Sequence, residues 1–79
     1  VVYVTLENAL AVTLKNRRIK CGLSQEDLAR KCNIDRTYIS MIECQKRNPT
    51  LNIIFKICKS LDIKTSDFIL NIEKAMEDS

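Results

Sequence analysis

Few side chains in this 79-residue chain could carry covalent chemistry, whereas many could grip an anion. There is no His, Gly occurs once, so no glycine loop can cradle a phosphate, and no two carboxylates stand at acid–base spacing. Glu43, taken as a general acid, has no second carboxylate near it in sequence. These absences argue against an enzyme and against a bound cofactor. The four cysteines, 21, 32, 44 and 58, are too widely spaced for the paired ligands of a zinc site, so no metal is expected. Cys32 and Cys58 fall on apolar faces and read as small buried hydrophobes. Unpaired thiols fit a reducing cytoplasm; a disulfide scaffold is the weaker alternative.

The cations are not spread evenly. Residues 15–59 hold eleven Lys or Arg against four acids, a net +7, while residues 60–79 carry net −3. A basic middle and an acidic tail are the footprint of a polyanion-binding face with a soluble rear, although a solvated, Lys-rich helical surface gives the same count. Within the basic part, Arg36, Thr37, Ser40 and Met41 lie on the outward side or flank of a short helical pattern whose inward residues are Ile39 and Ile42. Arg suits guanine O6/N7, and a Thr methyl suits a thymine methyl. The alternatives are a solvated Arg36, a Thr37 that merely fills the surface and a Tyr38 that packs half-buried.

The elements that position these residues follow from periodicity and caps. Helices are expected at about 6–21, 25–32, 36–44, 51–61 and 66–76, with Gly and Pro once each and aromatics at 5% arguing against a sheet. Leu6, Leu10, Leu14 and Arg18 form one i, i+4 row of the first helix, with Ala11 and Ile19 beside it, and Gly22 ends it. Ser24 caps the second helix, Asn33-Ile34 makes a tight turn and Asp35 caps the third. Two helices joined by so short a turn are the DNA-binding helix-turn-helix arrangement. A basic loop from Gln45 to Pro49 follows, and Thr50 caps a fourth helix with Leu51, Ile54, Phe55, Cys58 and Leu61 inward. Thr65 or Ser66 caps a fifth, with Phe68, Ile69, Ile72, Ala75 and Met76 on one side. Arg18 and Glu43 both continue inward stripes, so they should pair, because either charge buried alone is costly.

Some apolar residues exceed what one face per helix can bury: Val2, Tyr3, Val4, Ile53, Ile57 and Leu70. They are expected to form a homodimer interface on the last two helices, around Ile53, Ile57 and Leu70 and with or without the N-terminal arm; scattered surface residues are the plainer reading. No apolar run approaches the roughly 20 residues of a membrane span, and no signal peptide or lipidation motif is visible, so a cytoplasmic protein is expected. The chain starts at Val1 and not Met, as it would if residues were missing or processed.

Gly22-Leu23-Ser24-Gln25-Glu26-Asp27-Leu28-Ala29, Asp35-Arg36-Thr37-Tyr38-Ile39-Ser40, Ile42-Glu43 and Arg47-Asn48-Pro49-Thr50-Leu51 resemble the phage-repressor (Cro/C1, or XRE) helix-turn-helix family. The third helix and the loop after it look most like restriction–modification controller proteins. The resemblance covers about residues 8–72 and implies an all-α, five-helix, lambda-repressor-like fold, with residues 1–79 expected to form one domain. It also implies a homodimer on a palindromic operator that regulates transcription, with RNA polymerase as a candidate partner. Base contacts fall to Arg36, Thr37, Ser40 and Met41, and backbone contacts to Arg17, Ser24, Gln25, Tyr38, Lys46, Arg47 and Asn48. Arg18–Glu43 is implied as the family's structural salt bridge. Gln45 stands where many relatives have Gly, and Met41 where repressors often carry a polar reader. Another XRE-type repressor, or an antitoxin-like protein-interaction module of the same fold, is the alternative.

Overall fold

Helix starts here are written into single side chains. Thr5, Ser24, Asp35 and Thr50 each sit in extended backbone and accept a hydrogen bond from an N–H in the first turn of the helix that follows. The computed structural model, which describes residues 4–77, places the helices α1 at Leu6–Lys20, α2 at Gln25–Cys32, α3 at Arg36–Glu43, α4 at Leu51–Ser60 and α5 at Thr65–Glu77. The described residues contain no strand. At Ser24 the cap is reciprocal, for its N–H donates to the Asp27 carboxylate while its hydroxyl accepts from the Asp27 N–H.

Helix ends share one device. Gly22, Asn33, Gln45 and Asp62 adopt positive φ, and the N–H after each reaches back to the carbonyl five residues earlier. After Gly22, Asn33 and Asp62 that next residue is apolar: Leu23, Ile34 and Ile63 all pack against the core. After Gln45 it is Lys46, which is exposed. The turn after α3 therefore lacks the apolar anchor that fastens the other three.

The core gathers Leu14 of α1, Leu28 of α2, Ile39 and Ile42 of α3, Ile57 of α4 and Phe68 of α5, all essentially inaccessible. Each buried side chain of this size contributes about 1.5–3 kcal/mol. α1 packs on α3 and α5, α2 packs on α3 and α4, and α3 is thereby held with only its Ile39–Ile42 side inward.

Several inward assignments shift by part of a turn. In α4 the buried arc is Ile54, Ile57 and Cys58, continued by Leu61, while Leu51 and Phe55 are 70% and 59% exposed. A helix seated on one core buries only an arc, and Leu51 and Phe55 lie on its margin. Ile57 is 1% exposed, so it belongs to the core and not to a subunit interface; Ile53 is half-buried against the same core. Leu6, Ile19, Ile69 and Met76 are exposed rather than inward, and Ala9 is buried. α5 begins at Thr65, with the Lys64 carbonyl accepting from the Phe68 N–H, so neither Thr65 nor Ser66 stands outside the helix as its cap. Val1, Val2 and Tyr3 of the expected arm lie outside the described residues; Val4 packs on the core.

Candidate nucleic-acid interface

α3 presents what it does not bury. Arg36 and Thr37 are exposed in its first turn, Ser40 and Met41 are partly exposed along the same side, and Cys44 is exposed at its end. Asp35 accepts from the Thr37 N–H at 2.9 Å, which fixes where the helix begins and so where Arg36 leaves the backbone. Arg36 makes no ion pair among the described residues. It borders one groove with Ser24, Gln25 and Glu26 at the start of α2, and another with Thr37 and Ser40. The expected base readers therefore share one outward surface, next to a helix N-terminus that favours anions.

Behind that surface lies the pair expected from the sequence. Arg18 donates from Nε to Glu43 Oε2 at 2.8 Å and from Nη2 to Oε1 at 3.0 Å, with side chains 10% and 4% exposed. Its remaining Nη1 donates to the Leu23 carbonyl at 2.8 Å. The hydrogen bonds Arg18 donates to Glu43, opposed by burial, raise the Arg18 pKa above its ordinary value. Gln25 Nε2 also donates to Glu43 Oε1, at 3.2 Å. One side-chain donor of Gln25 is thus engaged in holding α2 to α3, which leaves its other amide hydrogen and its backbone N–H for a phosphate.

The loop after α3 is fastened by two contacts. The Arg47 guanidinium lies over the Tyr38 ring, 4.5 Å from its centroid, a cation–π arrangement. Tyr38 is also half-buried against the core, so the packing alternative and the surface role describe its two ends. Asn48 Nδ2 donates to Glu7 Oε1 at 3.1 Å, and that bond is the main reason the Glu7 pKa is lowered. Glu7 had no assigned role; nothing local in the sequence connects residue 7 to residue 48. Lys46 is exposed beside them.

Arg17 departs from its expected place at a phosphate. Its guanidinium donates to the Leu61 carbonyl at 3.2 and 3.0 Å and to the Asp62 carbonyl at 3.0 Å. The neighbouring Arg18 points inward, and Arg17, about 100° round α1 from it, lies against the turn after α4. The second surface is apolar: Leu51 and Phe55 of α4 with Ile69 and Leu70 of α5, edged by Lys64, Asp67 and Glu73. Leu70 was expected there; Leu51, Phe55 and Ile69 were expected inside. The usable signal was number, since α4 and α5 carry more large apolar residues than one buried arc each can take.

A family model described as helix-turn-helix matches residues 14–68, from the middle of α1 to the start of α5. The chain belongs to the Cro/C1-type helix-turn-helix family. This helix-turn-helix chain is 45% identical over 60 residues to the control protein C.MunI of a Mycoplasma species, covering 76% of this chain and 81% of that one. It is 37% identical over 65 residues to a hypothetical transcription factor from Neisseria meningitidis, covering 82% of this chain but only 61% of that longer protein. Among solved structures, the restriction–modification controller protein C.Esp1396I superposes with a TM-score of 0.87 at 36% identity, over 96% of this chain and 99% of that one. The same controller has been solved as a tetramer on its natural 35-base-pair operator, where the TM-score is 0.83 at 37% identity. The all-α, five-helix arrangement is that of these controller proteins.

As a helix-turn-helix DNA-binding regulator, the chain offers donors and methyl groups along the exposed side of α3. No cluster of three metal-ligating side chains occurs among the described residues. The buried thiols of Cys32 and Cys58 have raised pKa values, chiefly through burial, which favours the protonated, unreactive form. No helix of the described residues is long and apolar enough to cross a membrane.

Proposed function

We propose that the chain is a homodimeric transcription regulator that reads a palindromic operator, and that it acts as the controller of a restriction–modification system in the cytoplasm. The observation that carries the reading is the unpaired, exposed Arg36 beside Thr37 at the start of α3, seated on α2 by the Arg18–Glu43–Gln25 network. Arg36 and Thr37 read bases, with Ser40 and Met41 further along the groove. Ser24, Gln25, Lys46, Arg47 and Asn48 hold the phosphates, and Tyr38 supports Arg47. Leu51, Phe55, Ile69 and Leu70 meet the same residues of a second copy, whose reading helix then reaches the other half-site. The resemblance to C.MunI and C.Esp1396I supports the controller assignment, and the operator-bound tetramer of C.Esp1396I supports assembly on DNA. RNA polymerase is the proposed further partner at the promoter.

Selection from a randomised duplex pool at about 0.15 M salt tests this reading. A two-fold symmetric motif with half-sites about 10 base pairs apart is the expected product. Retention without enrichment would reduce the protein to a phosphate binder and overturn the operator reading. The apolar face keeps a second reading in view, a protein-interaction module of antitoxin type. A monomer that binds no duplex selectively would favour that one.

A further inference from the structure

We infer that Arg17 is a positioning residue for the interface between two copies: by tying α1 to the turn between α4 and α5, it sets how Leu51 and Phe55 stand relative to Ile69 and Leu70. The inference rests on the dimer reading above.

The turn closes without Arg17. The Asp62 N–H donates to the Lys59 carbonyl, and the Ile63 N–H donates to the Cys58 carbonyl, which completes the end of α4. The bonds from Arg17 are additional, and they join parts of the chain 44 and 45 residues apart. They fall on two successive carbonyls, Leu61 and Asp62, at the negative end of α4, where a cation is favoured. Holding both requires a planar fork of donors, which Arg has and Lys lacks. One turn further along α1, the Cys21 thiol also approaches the Leu61 carbonyl, at 3.5 Å.

What hangs from that turn is the apolar face. α4 brings Leu51 and Phe55 to it, and α5, starting at Thr65 just beyond the pinned carbonyls, brings Ile69 and Leu70. Asp62 is a non-glycine residue at φ 54°, so the turn occupies a narrow, mildly unfavourable backbone state. Two copies packing through such a face need both helices at one mutual angle, because interface cores pack as densely as interiors. Arg17 reaches the hinge of that angle from outside both helices. It therefore governs assembly without touching the second copy.

The test uses the full chain with R17M, R17K and, as a control, I54V, which loosens the core away from this turn. Dimer dissociation is followed by sedimentation equilibrium, half-site binding by anisotropy on a duplex holding one half-site, and folding by circular dichroism. R17M should weaken the dimer about tenfold or more, with R17K intermediate. Half-site affinity and its salt dependence should stay at the wild-type value, and I54V should leave the dimer constant unchanged. An R17M dimer within about twofold of wild type overturns the inference. So does an I54V dimer as weak as that of R17M, which would make the effect general destabilisation. A half-site affinity that falls, with the salt slope reduced by about one, would make Arg17 a phosphate contact and overturn it too. Should R17M not fold, R17K decides, and a wild-type dimer constant in R17K overturns the role. A wild-type protein that remains monomeric overturns the dimer reading itself, before any variant is compared.

Discussion

Arg18 and Glu43 meet fork to fork, Nε to Oε2 at 2.8 Å and Nη2 to Oε1 at 3.0 Å, and Gln25 closes on the same Oε1 at 3.2 Å. The carboxylate at the last residue of α3 is thereby bonded to α1 and to the first residue of α2. A single anion fixes α3 against both its neighbours.

Removing half of that pair should be far worse than removing all of it. Arg18→Met leaves a nearly inaccessible carboxylate with only Gln25 to bond, and should destabilise the fold by about 3–5 kcal/mol in urea unfolding. Arg18→Met combined with Glu43→Met should recover most of that loss. A double variant no more stable than the single one would contradict a desolvation origin.

Arg36→Ala should abolish operator preference while leaving weak binding to unrelated duplexes. Loss of a bidentate guanine contact corresponds to about 1–3 kcal/mol of discrimination. Competition binding between the selected operator and a scrambled duplex measures it. Equal loss on both would count against Arg36 as a base reader.

Arg47→Ala should act differently, weakening binding to every sequence and lowering the salt slope by about one. Tyr38→Leu should reproduce part of this loss, because it removes the ring beneath the guanidinium, whereas Tyr38→Phe keeps the ring and should bind nearly as wild type. Should Tyr38→Phe lose as much as Tyr38→Leu, the hydroxyl and not the ring would be the active part.

Gln45 holds φ 63° in a turn that has no apolar residue following it. Gln45→Gly removes the left-handed penalty of about 1–2 kcal/mol and adds back unfolded-chain entropy of about half that size. A small net gain in stability is expected, of about 0.5 kcal/mol. A lower melting temperature would show that the glutamine side chain makes a contact the glycine cannot replace.

Acid should weaken the start of α2 by protonating the Asp27 carboxylate. The Asp27 carboxylate accepts from the Ser24 N–H, and this holds its pKa below the ordinary 3.8. A depressed carboxylate stabilises the fold above its unfolded value, and that contribution is lost as pH falls through the folded value. The stability difference between wild type and Asp27→Ala should therefore be constant at neutral pH and shrink below pH 3.8. A difference that persists unchanged in strong acid would assign the effect to helix propensity alone.

Many local features were readable from residue order, though the start of α5 and the Thr5 cap were not. Caps at Ser24, Asp35 and Thr50, the glycine ending α1 and the Ile39–Ile42 side of α3 depend on neighbours within one helical turn, so periodicity and side-chain chemistry suffice. Arg18 with Glu43 was also legible, because two charges on inward stripes have only each other. What the order of residues left open was which margin of each buried arc faces the core. Ile57 went inside while Leu51, Phe55 and Ile69 came out, because the seating of α4 and α5 depends on how all five helices pack together. The same reason hides Arg17 on Leu61 and Glu7 on Asn48, whose partners are more than 40 residues away in sequence. Sequence by itself determined the helices and the outward side of α3; the packing of one helix against another decided which charges stay exposed and which hold the fold.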